Sequence, residues 1–409
     1  MSDAMKRRNI AQHAPGRTPS AGGTLLRMLG ISLAVVTVSA IAVAGFVAFD
    51  LANRVGEDAV PLEAAPSVAP PGLGAYPGAF SILLIGTDEC GPVSKRLLGE
   101  RCASEDGILN DINLLVHVSA EPRTVSVVSL PRDLMVKVPS CVRADGSTAS
   151  ALDKAQINSV FERAGLSCVA KTVSGLSGLE IGFAAKLSFD GVMEITDAIG
   201  GVEICIGPNG LHDRSTGLDW PPGPRTVQGY DALQFLRVRK GLVGGSDLSR
   251  ISNQQQYMSR LASKVLSSET LTDLPTVMRL ASTVASNVKP SESLVDPVRL
   301  AQLALALKDV PFDDFVFLQL PTLEDPADRD RVVENTRAAQ PMWDAIIAGE
   351  PLQITGRPST VPGAVVEEPS PTASASAPAS PTPSATPIGR AVLSEEISGI
   401  DLTQRTCTG

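Results

Sequence analysis

Eight side chains of this sequence have types and spacing suited to phosphate chemistry: Asp88, Asp111, Arg132, Asp133, Arg237, Arg239, Arg250 and Gln254. An arginine fork binds phosphate oxygens in bidentate fashion. A hard cation such as Mg²⁺ takes one or two carboxylates and completes its shell with phosphate oxygens. Together such groups stabilise the charge that develops during phosphoryl transfer. Arg132, Arg237, Arg239 and Arg250 with the acidic pair Asp88 and Asp111 therefore suggest a pyrophosphate site. Surface ion pairing is the competing reading, because ionic clusters mark sites only statistically.

The elements that must position these groups are legible. Phe80–Ile85 is a continuous apolar run of strand length, ending at Gly86-Thr87-Asp88. Ile112–Val118 and Thr124–Leu130 read as strands joined by Ser119-Ala120-Glu121-Pro122-Arg123, which makes an antiparallel hairpin. If the turn centres near Glu121, residue 111 lies opposite residue 131, and Asp111 sits beside Pro131-Arg132-Asp133. Asp133 could then orient Arg132 or accept a proton from an attacking hydroxyl. Sites in open α/β sheets gather at such strand ends.

A second group follows a helix expected over Gly229–Leu236. Arg237 and Arg239 diverge on a helix but share a face in extended chain. Arg250 falls in the first turn of a long amphipathic helix, Ser249–Ser267, with Gln254 four residues on along the same face. An arginine there opposes the helix dipole, yet it suits an anion bound at that end. Other helices are expected at Gln156–Gly165, with a Gly stop, and at Val192–Ile199, Leu274–Val288 and Pro297–Lys308; Val202–Ile206 and Phe315–Leu320 read as strands. Strands interleaved with helices predict a layered α/β domain with a mixed sheet. His117 reads as a satisfied strand histidine and His212 as a solvated loop residue.

Charge and cysteine change along the chain. The 409 residues carry a net charge of −9. That balance argues against coating nucleic acid, which needs a basic surface. Met28–Phe49 has no charge, and Lys6, Arg7, Arg8, Arg17 and Arg27 precede it. About 20 apolar residues span a bilayer as a helix, and the basic flank stays in the cytoplasm. Ala42-Val43-Ala44 resembles a signal-peptidase site, but the apolar run exceeds the usual 7–15 residues of a cleaved signal. The reading is a single-pass anchor in the cell membrane, with the rest of the chain outside. All six cysteines follow this segment and read as disulfides of an oxidising compartment. Local spacing suggests Cys90–Cys102 and Cys141–Cys168, which leaves Cys205 with Cys407.

The expected organisation is a cytoplasmic tail (1–27), a membrane anchor (28–49) and a Pro/Ala-rich spacer (50–78). A folded unit (79–350), a Pro/Ser/Thr/Ala-rich tract (351–392) and a short C-terminal segment (393–409) follow. The tract lacks the apolar residues to bury a core.

ILLIGTD (82–88), LNDINLLVHV (109–118), VSLPRD (128–133), IGGVEI (199–204), GYDALQFLRVR (229–239) and DLSRISNQQ (247–255) together resemble the LytR-CpsA-Psr family, in the family's order and across about 80–265. The resemblance implies an αβα sandwich with an apolar cleft for a lipid tail. It also implies a phosphotransferase of the cell envelope, which moves a glycopolymer from a polyprenyl-pyrophosphate carrier to a peptidoglycan hydroxyl. By motif, Asp88 and Asp111 match the Mg²⁺ ligands; Arg132, Arg237, Arg239, Arg250 and Gln254 match the pyrophosphate ligands. The chain departs from the family at Leu109, where an arginine is usual, and at Gln156, where a lysine is usual; Lys154 is a possible substitute. Three alternatives stay open: hydrolysis of the carrier when no acceptor is present, a lipid- or wall-binding scaffold without transfer, and a membrane-bound transcriptional attenuator.

Overall fold

The computed structural model describes residue 56 and residues 59–63, 74–102, 107–242, 247–356, 364–366 and 389–408. The chain divides into two units, 1–50 and 51–409, and all described residues belong to the second. The expected cytoplasmic tail, the anchor over 28–49 and most of the Pro/Ser/Thr/Ala tract lie outside the described residues. Among the described residues, no helix is long and apolar enough to cross a membrane.

The frame is a seven-stranded mixed sheet. In chain order its strands are β1 (Phe80–Thr87), β2 (Asn110–Val118), β3 (Val125–Leu130), β4 (Phe183–Leu187), β5 (Val288–Pro290), β6 (Phe315–Gln319) and β7 (Gly399–Asp401). They lie side by side as β5-β4-β1-β2-β3-β6-β7. The β1/β4 and β3/β6 pairs are parallel and the others antiparallel. Both faces are covered, so these strands read as apolar runs rather than alternating ones.

Neighbouring residues point to opposite faces. Ala184, Val128 and Leu318 join a core beneath α1 (Val160–Ser177) and α2 (Thr336–Ala348). Ala185, Val127 and Phe317 join the opposite core, against α3 (Asp247–Val265) and α4 (Pro297–Leu307). The result is the layered α/β/α arrangement with a mixed central sheet. His117 is a buried strand residue whose Nδ1 lies 3.1 Å from Ser81 Oγ, as a satisfied histidine should be.

Two expectations need correction. The β2–β3 hairpin pairs Asn113 with Leu130 and Val118 with Val125, one residue off the expected register. Carried outward, this register sets Asp111 opposite Arg132 rather than Pro131. The expected glycine stop is borne out, since helical geometry fails at Ala164 and Gly165. At Gly165 φ is 72°, and a second helical stretch then runs on to Ser177. Glycine adopts that left-handed φ without a Cβ clash, so it marks a kink.

The folded unit also reaches beyond 79–350. Val60 bridges to Ser291 and Leu62 is buried. At the other end, β7 pairs with β6, and Thr406–Thr408 pairs with both Ala364–Val366 and Val202–Ile206. The disulfides are Cys90–Cys102, Cys141–Cys168 and Cys205–Cys407, as the spacing suggested.

Candidate active site

The C-terminal end of β1 meets the start of β2 at one edge of the sheet. β1 and β2 stay in register from Phe80↔Val118 to Gly86↔Ile112, then shift so that Thr87 faces Asn110. Asp111 is the extra residue. A bulge of this kind re-aims one side chain out of the ladder. Asp88 follows directly, with its backbone N–H on Leu109 O at 3.1 Å and its Oδ1 accepting from Leu109 N–H at 2.8 Å. Burial pushes the Asp88 carboxyl above its ordinary 3.8; the Leu109 bond opposes this and the neighbouring Asp111 charge adds to it.

Asp88 and Asp111 line a cavity of about 750 Å³ together with Arg237, Arg239 and Arg250. Arg237 closes the helix Gly229–Arg237, and the chain turns extended at Val238. Arg239 can therefore face the same cavity despite its two-residue offset. The Arg237 guanidinium lies 5.2 Å from the Phe189 ring centroid. Asp213 fixes the loop that follows, accepting from Arg239 N–H at 3.1 Å and Gly241 N–H at 3.4 Å. Burial works against ionisation of Asp213, but the Ser215 hydroxyl and these N–H bonds outweigh it and hold its carboxyl below 3.8.

Arg132 donates from Nη1 to Asp111 Oδ1 at 3.0 Å, and its Nε lies 3.5 Å from Asp133. Asp133 also accepts from Gln156 Nε2 at 2.5 Å and from Arg331 Nη1 at 3.4 Å. Asp133 thus stands behind Arg132 as its orienting carboxylate. Gln156, where the resemblance led to the expectation of a lysine, contributes to the same network. Lys154 is directed away, to Asp325 at 2.6 Å.

Gln254 is not on the wall of the charged cavity. It donates to Leu236 O at 3.2 Å and lines a second, apolar cavity of about 260 Å³ between the sheet and α3. Leu114, Val127, Met258, Leu261 and Phe317 form much of that lining. Tyr257 lines it too; burial pushes its hydroxyl up to about 12, so it stays neutral. The two cavities adjoin through consecutive residues, Asp111 and Ile112 on β2, and Leu236 and Arg237 at the helix end.

Sequence reasoning missed several lining residues. Glu89 follows Asp88 directly. Lys95 projects from a short helix, Pro92–Leu98, held between Cys90 and Cys102. Asp190 caps that helix, accepting from Val93 and Ser94 N–H at 2.8 and 2.7 Å. The two cysteines flanking Lys95 were the available signal; nothing local marked Asp190. With Lys95 and Lys240, the cavity carries five cations against three carboxylates, a balance that favours an anionic ligand.

Among the described residues, no group of three or more His, Cys, Asp or Glu side chains is arranged to hold a metal ion. The donor set here is a carboxylate pair beside a cationic wall. That composition fits Mg²⁺ bound partly by phosphate oxygens, and does not fit an all-protein cage.

The chain belongs to the LytR-CpsA-Psr (LytR_cpsA_psr) family, whose model matches residues 55–342. It is similar to the cell wall biosynthesis protein LcpA of Corynebacterium glutamicum, 28% identical over 268 residues, covering 60% of this chain and 51% of that protein. It is also similar to the polyisoprenyl-teichoic acid–peptidoglycan teichoic acid transferase TagT of Bacillus subtilis, 24% identical over 57% of this chain and 66% of that protein. The chain spans about half the length of the first curated relatives it matches. The crystal structure of TagV from B. subtilis shares the fold, with a TM-score of 0.51 and 18% identity, covering 67% of this chain and 97% of that one.

Proposed function

We propose that this protein is a Mg²⁺-dependent phosphotransferase that moves a glycopolymer from a polyprenyl-pyrophosphate carrier onto peptidoglycan, forming a phosphodiester in cell wall biogenesis. The single observation that carries this reading is the junction of two unlike cavities. A cationic cavity with a carboxylate pair adjoins an apolar one lined almost wholly by hydrocarbon. A prenyl diphosphate has the matching polarity, with an anionic head and an apolar tail. Family membership supports the same reaction class.

In this reading Arg237, Arg239 and Arg250 bind the pyrophosphate, and Arg132 orders Asp111 while itself held by Asp133. Asp88 and Asp111 would hold Mg²⁺, which when bound supplies charge neutralisation at the phosphate oxygens. Gln254 contributes at the seam, where the head gives way to the tail. Catalysis comes from positioning and electrostatics, and no covalent enzyme intermediate is needed. The anchored, extracytoplasmic topology expected from residues 1–49 would place both substrates within reach.

The test is full-length protein in detergent, supplied with a synthetic polyprenyl-pyrophosphate glycan and peptidoglycan. Incorporation of glycan with stoichiometric release of polyprenyl phosphate, abolished by EDTA and restored by Mg²⁺, is expected. Carrier binding without phosphate release would support a scaffold instead, and release without incorporation would support hydrolysis.

A further inference from the structure

A third cavity, of about 890 Å³, touches the charged one, and the reaction as described leaves it without a role. Residues 59–63 run along it, and α1 borders it from Phe161 to the kink at Gly165. Leu62 and Leu166 line it and belong to the core beneath α1. The apolar cavity belongs to the other side, since Leu114, Val127, Ala185 and Phe317 line it and sit in the core beneath α3. The two cavities therefore occupy opposite faces of the central sheet.

Both reach the same edge. Lys186, at the end of β4, lines the two of them, pairs with Glu89, and lies 5.3 Å from the Phe161 ring centroid. Glu89 and Ile108 are the residues shared by the third cavity and the charged one, so Glu89 is the carboxylate at that junction.

Geometry then assigns a direction. In-line transfer needs the entering and leaving oxygens on opposite sides of phosphorus. A lipid seated in the apolar cavity draws the leaving phosphate toward the α3 face. The attacking hydroxyl must arrive from the α1 face, where the third cavity opens. Its lining also suits a saccharide. Pro61, Val142 and Phe161 offer apolar surface for the C–H faces of sugar rings. The four cationic and four acidic side chains around them balance, which favours a chain of low net charge over a polyanion.

We propose that this cavity is the acceptor site, binding a saccharide chain of the peptidoglycan type, with its inner end at Glu89 and Ile108. The proposal rests on the ligase reading above. The acceptor hydroxyl oxygen bonds to the glycan-side phosphorus. The bridging P–O bond breaks, and its electron pair leaves on polyprenyl phosphate. The hydroxyl proton is released to water.

The test uses full-length protein, a lipid-pyrophosphate glycan donor and a soluble peptidoglycan tetrasaccharide bearing stem peptides. Val142→Trp and Ala144→Trp fill the cavity from exposed positions, which limits any cost to folding. Each is expected to raise the acceptor KM at least about tenfold while donor KM and Tm stay within error. Direct titration of the tetrasaccharide, independent of turnover, should show binding to wild type that Val142→Trp weakens. Transfer with wild-type acceptor KM in both folded Trp variants overturns the acceptor site and leaves the ligase reading intact. Tetrasaccharide binding without transfer overturns the ligase reading and leaves the site.

Discussion

Asp111 and Arg132 face each other across the open end of the β2–β3 hairpin, two residues beyond its last paired positions, with Arg132 Nη1 on Asp111 Oδ1 at 3.0 Å. Two devices create the contact. The bulge against β1 turns Asp111 out of the ladder, and the hairpin register brings Arg132 opposite it. Asp133, held by Gln156 and Arg331, then fixes the guanidinium from behind.

Arg132→Lys keeps the charge and loses the fork. Turnover should fall about 10–100-fold, the scale of removing a partner that orients a metal-binding carboxylate. Stability should change by about 1 kcal/mol or less, because both partners of the ion pair retain some solvent contact. Steady-state kinetics beside a thermal melt separates the two effects. A variant that loses stability in step with activity would mean that Arg132 is a structural residue.

The apolar cavity should select the carrier by its tail. Met258 and Leu261, on α3, form part of its wall. Met258→Trp should weaken a long-chain prenyl donor about tenfold, or about 1.4 kcal/mol, and leave a donor with a short tail nearly unaffected. Comparing KM for the two donors checks this. Equal losses would place the tail elsewhere.

His117 should make the protein sensitive to mild acid. Burial lowers its pKa from 6.5 to about 4, so the unfolded chain binds a proton between those values that the folded chain refuses. The stability it contributes is complete above about pH 6.5 and is lost as pH falls toward 4. His117→Asn removes the titrating group, and its Tm should fall less between pH 7.5 and 4.5 than that of wild type. Parallel Tm curves would contradict this.

Removing everything after residue 388 should unfold the domain. That change deletes β7, buried Leu393, Ile397 and Ile400, and the partner of Cys205. Each buried aliphatic side chain is worth about 1.5–3 kcal/mol, and loss of a native disulfide costs about 2–5 kcal/mol. The sum exceeds the margin of many domains. Circular dichroism and a denaturant titration of the truncated protein would decide. A native-like fold after truncation would show that the C-terminal strands are dispensable.

That truncation marks where local reading of the sequence runs out. β1, β2, β3 and β6 were legible because both faces of each are buried, and their sequences are continuous apolar runs. Asp88, Asp111, Arg237, Arg239 and Arg250 were legible as a group because strand ends and helix ends converge at one edge of such a sheet. Register was not, because the six-residue connection between Val118 and Val125 permits more than one centre. The stop at Gly165 was legible from its glycine, but the second helical stretch beyond it was not, because only the packing of Leu166 and Val169 into the core reveals it. Gln254 shares a helix face with Arg250, but periodicity does not reveal that the charged and apolar cavities divide between them. The C-terminal strands depend on pairing with residues far upstream, which no local pattern discloses.

Titration of farnesyl pyrophosphate into the full-length protein, with and without Mg²⁺, tests the central claim most directly. Wild type should bind more tightly with Mg²⁺, Asp88→Asn and Asp111→Asn should lose the Mg²⁺-dependent gain, and Arg237→Ala should weaken binding in either condition. Equal affinity across all four proteins, unchanged by Mg²⁺, would contradict the assignment of this cavity to a diphosphate.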